Sequence, residues 1–266
     1  MCVGNLARVV AVCAIGLSIA LFTPLSAKSD IITYGDFSGA DAVFKAVTES
    51  TVVPGDTVAN NGFGPPVVSG DSLVFTPKSF AAYSASGTPD FADSHLSTTI
   101  AAVAGKVIYQ VAFSETGDYT LVGTGTSTTK ATVAMPAWLT VTKVDGVSID
   151  PIVITGSAVF SPNSSFSLPG NAGTGVPWSG NLLFDVTAAL RAKGNQGYAT
   201  EVILSMDNSL TATSEAATIA YIAKKTAQLT VDAGAVPEPG TFVLLSVGAV
   251  GLVGYCWRRR KSVAAA

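Results

Sequence analysis

"KVIYQVAFSETGDYTLVGTGTS", Lys106 to Ser127, decides the class of fold. Val107, Tyr109, Val111 and Phe113 alternate with Ile108, Gln110, Ala112 and Ser114, so one of two faces is the more apolar. Successive side chains of a pleated strand point to opposite faces, and this period of two predicts a strand with one face on a core. Further along, "WLTVTKVDGVSIDPIVITGSAVF" (138–160) sets Asp145-Gly146 between two β-branched runs, the signature of a type I′ hairpin turn. More strands are expected at "DIITYGDF", "DSLVFTP", "SHLSTTIAAV", "TEVILSMD" and "KTAQLTVD". Turn formers such as "GFGPP", "SASGTPD", "SPNSS" and "NAGTGVP" separate them. Only "ADAVFKAV" (40–47) and "VTAALRAKG" (186–194) read as local helices. Many short strands with Gly/Pro/Asn turns predict an all-β fold, a single jelly-roll-like β-sandwich, with one helical turn near Thr187–Leu190.

The two ends of the chain carry a different signal. Val9 to Leu21 is a 13-residue apolar stretch after Arg8, followed by Pro24 and the small residues Ser26 and Ala27. This arrangement predicts a signal peptide over 1–27, with an uncleaved anchor as the alternative because Leu25 is not small. Thr241 to Trp257 is a 17-residue run without charge, long enough as a helix for roughly 26 Å, just short of a hydrocarbon core of about 30 Å. Pro237 and Pro239 fix an extended approach to it. Tyr255 and Trp257 suit the membrane interface, and Arg258, Arg259, Arg260 and Lys261 would hold the far end in the cytoplasm. A transmembrane helix over 241–257 with a basic tail over 258–261 is expected, the domain of residues 28–235 lying on the other side of the membrane.

Composition excludes several classes. Of 15 Lys+Arg and 18 Asp+Glu, ten basic and 17 acidic residues fall within 28–235, a net charge of −7. A nucleic-acid partner needs the opposite sign. Cys2, Cys13 and Cys256 all lie in the terminal segments, so the domain has no disulfide, thiolate metal site or cysteine nucleophile.

Signal peptide, Val236-Pro237-Glu238-Pro239-Gly240, apolar run and Arg-rich tail together resemble the PEP-CTERM sorting domain of Gram-negative bacteria. That resemblance covers Val236 to Lys261 within a segment 236–266. It implies an exosortase-type sorting enzyme and the membrane as partners, with Pro237, Glu238 and Pro239 as the recognition element. It also implies passage from the periplasmic side of the inner membrane to the cell surface or extracellular matrix, in association with exopolysaccharide. A second resemblance rests on "LLFDVTAALRAKGNQGYATEVILSMDN", where Phe184-Asp185-Val186-Thr187 precedes one helical turn and another strand. Together with "TSEAAT" and "AQLTV" it makes 182–232 similar to DNRLRE-type, carbohydrate-binding-module-like sandwiches, in which Asp or Thr caps the turn.

Candidate chemistry in the domain is sparse. His95 is the only histidine, which excludes multi-His metal sites, and no G-x-S-x-G elbow accompanies it. "GTGTSTTK" (123–130) faintly echoes a phosphate loop but lacks the Gly before Lys and reads as a hairpin loop. Asp90 with Asp93, and Asp145 with Asp150, are candidate two-carboxylate catalysts or calcium ligands, or else solvated turn residues. Trp178 in "GTGVPWSG" either stacks on a sugar ring or caps the core. The functional expectation is a non-enzymatic, cofactor-free envelope or matrix protein with a structural or glycan-binding role. The alternative is a glycan-active hydrolase using two carboxylates.

Overall fold

The computed structural model describes residues 30–51, 57–58, 62–236, 250 and 252. The expected signal peptide, Pro237–Pro239, the span 241–257 apart from residues 250 and 252, and Arg258–Lys261 lie outside the described residues. Among the described residues no helix is long and apolar enough to cross a membrane. The strands are β1 (Asp30–Ser38), β2 (Ala42–Thr51), β3 (Val67–Ser69), β4 (Ser72–Phe75), β5 (Ala81–Ala85), β6 (Asp90–Ala102), β7 (Lys106–Gly123) and β8 (Lys130–Ala134). They continue as β9 (Pro136–Val144), β10 (Val147–Ser157), β11 (Val159–Ser161), β12 (Ser165–Ser167), β13 (Gly173–Asp185), β14 (Ala199–Thr213) and β15 (Thr218–Ala235). The helix α1 (Val186–Ala192) lies between β13 and β14.

The fold is all-β, and its pairing is antiparallel. One ladder is built on β14, which takes β6 along one edge and β9 and β8 in succession along the other. It extends through β2 to β1, through β9 to β10 and through β8 to β12. The second ladder is built on β7, flanked by β13 and β15, with β11, β4, β5 and β3 outside them. Between β14 and β7 there is a single bridge, Ala199 to Ile108, so the two ladders behave as sandwich layers joined at one corner. Val202, Leu204, Met206 and Leu210 of β14 and Val111, Phe113, Tyr119 and Leu121 of β7 are buried in one hydrophobic cluster.

Local expectations fare unevenly. Asp145 and Gly146 both take positive φ, 49° and 79°, between β9 and β10, as a type I′ turn requires. At α1, Asp185 is the N-cap and accepts the Ala188 N–H at 2.8 Å, while Gly194 (φ 78°) turns the chain out. "ADAVFKAV" is not helical: its apolar residues lie in β2, where a bulge at Ala46 (φ 49°) imitates helical spacing. Alternation in β7 also changes phase. Gln110 faces Asp232 and Ile108 faces Ala233, leaving Tyr109 as an extra residue, so Ile108 is buried and Tyr109 turns outward. "GTGTSTTK" links β7 of one layer to β8 of the other, so it crosses between layers and closes no hairpin.

Candidate functional site

Three polar side chains of the domain meet inside the sandwich. Glu115 continues the inward face of β7, Lys224 that of β15 and Asn208 that of β14. Lys224 donates to Glu115 Oε2 and to Asn208 Oδ1, and its ammonium sits 5.0 Å and 4.9 Å from the ring centroids of Phe63 and Phe80. Both charged side chains have no solvent exposure. Burial pushes the Glu115 carboxyl up while the Lys224 ammonium pulls it back; burial pushes Lys224 down while Glu115 opposes it. A side-chain hydrogen bond from Asn208 also pulls the Glu115 carboxyl back down.

Glu49 of β2 is also buried, and both its oxygens are used. Oε1 accepts from Phe63 N at 2.5 Å and from Ser94 Oγ; Oε2 accepts from Tyr34 Oη at 2.7 Å and Gly64 N at 3.2 Å. The carboxylate therefore ties the segment 62–64 to β2. A Cβ on Gly62 would stand 2.5 Å from Glu49 Oε1, which is why that position is glycine. Tyr34 and Phe63 then line an open cleft of about 450 Å³ with Ile32, Val67, Val74 and Lys78.

A second group lies on the outer face of the β14 ladder. His95 pairs across with Asp207 and bonds Ser205 through Nε2 at 3.1 Å, and Asp93 is opposite Ser209. Burial, then the neighbouring Asp207 charge and a hydrogen bond to it, push the Asp93 carboxyl up to about 7. Trp138, opposite Ser205, is 40% exposed, and Phe91, opposite Thr211, is 41% exposed. Their partners are six residues apart on β14, so the two rings stand roughly 20 Å apart on one face with the polar group between them.

A raised Asp93 makes stability pH-dependent with a definite sign. The folded protein holds a proton that the unfolded chain releases from about pH 4, so stability falls as pH rises from there to about 7. Asp93→Asn keeps a donor toward Asp207 without the titration. It is expected to raise the melting temperature at pH 8 by roughly 4–8 °C, on the order of 2 kcal/mol, and to change it little at pH 4. Melting curves of residues 28–235 at both pH values check this; an equal shift at both removes the protonation account.

The residues expected from the sequence are placed differently. Trp178 is not on a loop: it lies within β13, 2% exposed, its ring against Gly117 and edge-on to Phe160 at 6.0 Å. It packs the core because β13 pairs with β7 at that point, Trp178 opposite Gly117, where only a glycine leaves room for the indole. Asp90 is engaged with the Tyr83 and Phe91 N–H groups, and Asp93 associates with Asp207 instead. Asp145 accepts the Tyr198 N–H at 3.0 Å, and Asp150 is exposed. Among the described residues no cluster of three or more His, Cys, Asp or Glu is placed to hold a metal. The phosphate-loop echo already holds an anion of its own. Glu215 accepts from Thr126 N at 2.6 Å, Thr126 Oγ1 at 2.9 Å and Thr129 Oγ1 at 3.0 Å, which lowers its pKa.

Residues 235–261 match the PEP-CTERM protein-sorting motif, in agreement with the reading of Val236–Lys261. No curated protein matches the chain. Among solved structures, a native family 12 xyloglucanase from Bacillus licheniformis is 13% identical over 77% of this chain and 100% of its own, with a TM-score of 0.20. A loop-swap mutant of Xyn11A from Necallimastix patriciarum is 8% identical over 79% of this chain and 100% of its own, with a TM-score of 0.19. The enzymatically active domain of bacteriophage CBA120 tailspike protein 4 is 10% identical over 77% of this chain and 19% of its own, at 0.18. Likenesses this faint establish neither a shared site nor a shared activity.

Proposed function

We propose that this chain is an exported protein, delivered to the cell envelope or extracellular matrix by an exosortase-type enzyme acting on its tail, with a structural or glycan-binding domain as cargo. The observation that carries the reading is the sorting motif at 235–261, which begins at the last residue of the all-β domain. Pro237, Glu238 and Pro239 are its recognition element, the apolar run is its membrane segment, and Arg258–Lys261 set the orientation. The cargo has the charge and the cysteine-free composition of a domain that folds without staples and avoids nucleic acid.

The outer face with Trp138, His95, Asp207 and Phe91 supports the glycan-binding half. Exposed aromatic faces and acceptor carboxylates suit sugar rings and hydroxyls, and this flat arrangement fits the carbohydrate-binding-module-like resemblance of 182–232. It fits a two-carboxylate hydrolase poorly. Asp93 and Asp207 bond each other, whereas hydrolytic carboxylates stand about 5–9.5 Å apart across a cleft. Purified 28–235 on a glycan array is expected to bind extended polysaccharide. Trp138→Ala should weaken that binding about tenfold without lowering the melting temperature. Absence of binding to any glycan ends the glycan half and leaves a structural cargo; release of reducing sugar favours the hydrolase.

A further inference from the structure

The sorting motif has no linker separating it from the domain. β15 remains paired with β7 to its last residue, Ala235 opposite Lys106, and the matched motif starts at that same Ala235. Tyr109, the extra residue that turns outward from β7, donates its hydroxyl to Ala235 O at 2.6 Å. The Tyr109 ring packs edge-on to Tyr198 at 5.9 Å and covers Gly234, where a Cβ would stand 3.3 Å from it. Arg191 lies 4.9 Å over Tyr198 and donates to Asn195 O and Gly197 O, which fixes the support from behind. The strand that leads into the tail is thus pinned at its end.

Val236 lines an open cleft of about 530 Å³ with Val103, Gly105, Asp145, Gly146 and Thr200. Three exposed apolar side chains stand here, Val103 (38%) and Val236 (42%) on the cleft and Val147 (66%) next to Gly146, with Asp145 exposed among them. Its one salt bridge, Lys106 to Asp41 at 3.0 Å, lies at the side. Glu238 follows Ala235 by three residues, so at most about 11 Å of extended chain separates them. An enzyme gripping Glu238 must therefore stand against this end of the sandwich.

We infer that the apolar end formed by Val103–Gly105, Gly146–Val147 and Val236 is a docking surface for the membrane-embedded sorting enzyme, which reads the folded end together with Pro-Glu-Pro. The inference rests on the sorting reading of the tail. Small residues and turns at this end permit close approach, and the pinned β15 presents the motif in one direction, which lowers the ordering cost of recognition.

The test is conversion of the full chain in a host carrying an exosortase, followed by intact mass in membrane and surface fractions. Val103→Glu with Val147→Glu is expected to slow conversion about tenfold at unchanged melting temperature, while Thr124→Glu, just beyond the other end of β7, converts like wild type. Inserting six Gly/Ser residues between Ala235 and Val236 leaves the domain and Val236–Lys261 intact and should produce the same slowing, because the tail is then no longer held at a fixed distance and direction from the surface. This insertion also decides the matter should the double variant fold poorly. Wild-type conversion of the insertion, or of a folded double variant, overturns the docking surface, with Glu238→Ala still unprocessed showing that the sorting reading stands. Processing of Glu238→Ala like wild type overturns both. Loss of membrane association by the double variant in a host without the enzyme assigns the surface to the bilayer and likewise overturns the inference.

Discussion

Lys224→Met is expected to destabilise residues 28–235 by about 3–5 kcal/mol, lowering the melting temperature by roughly 10 °C. Lys224 offsets the charge of Glu115 in a place with no solvent exposure, and among the described residues no other cation reaches that carboxyl in the sandwich. Removing the ammonium leaves a buried carboxylate that must protonate or be hydrated by local opening. The pH dependence has a required sign. A Glu115 pKa raised further in the folded state means that the deficit is smallest at acid pH and grows as pH rises through the unfolded carboxylate range. Replacing both partners, Lys224→Met with Glu115→Leu, should restore most of the loss, since an apolar pair of similar volume leaves no uncompensated charge. Denaturant titration of the three variants at pH 5 and 8 checks this. A single-variant loss below 1 kcal/mol would show that the pair carries little of the stability.

Glu238→Ala should abolish processing of the tail. Proline rings on either side of Glu238 disfavour helix at this point of the sequence, and the proposed sorting reading makes its carboxylate the group that the enzyme recognises. Neither export nor membrane insertion uses that carboxylate, so the protein should accumulate in the inner membrane at unprocessed mass. Neutralising Arg258 to Lys261 is expected to act on a different step: without the charges that the proposed reading assigns to holding the tail inside, unprocessed protein should escape to the periplasm. If Glu238→Ala reaches the surface with wild-type mass, Val236–Lys261 is a simple anchor.

Strand-level features are legible wherever they depend on neighbouring residues only. The pleat makes side-chain direction a local property, so Val111 and Phe113 mark the inner face of β7, and the same parity carries Glu115 inward. Equally local are the Asp145-Gly146 turn, the Asp185 cap, the missing cysteines and the Pro-Glu-Pro tail. The parity of β7 and β14 alone carries Glu115 and Asn208 inward, whereas Lys224 is inward only because a bulge at Lys224/Thr226 shifts the parity of β15 relative to Ala227, Leu229 and Val231.

What the tertiary structure alone decided is which strands became neighbours. Closing a loop costs entropy that grows only slowly with its length, so nothing local dictates that β14 lies beside β6, 110 residues away at the His95–Ser205 bond. That choice joins Asp93 to Asp207 and not to Asp90, while the pairing of β15 with β7 and the packing of the two layers bring Lys224 to Glu115 and Asn208. Bulges then shift parity in mid-strand, turning Tyr109 out to hold Ala235, and the pairing of β13 with β7 seals Trp178 over Gly117. Each of these is a contact between distant segments, where burial and register outweigh what the immediate sequence prefers.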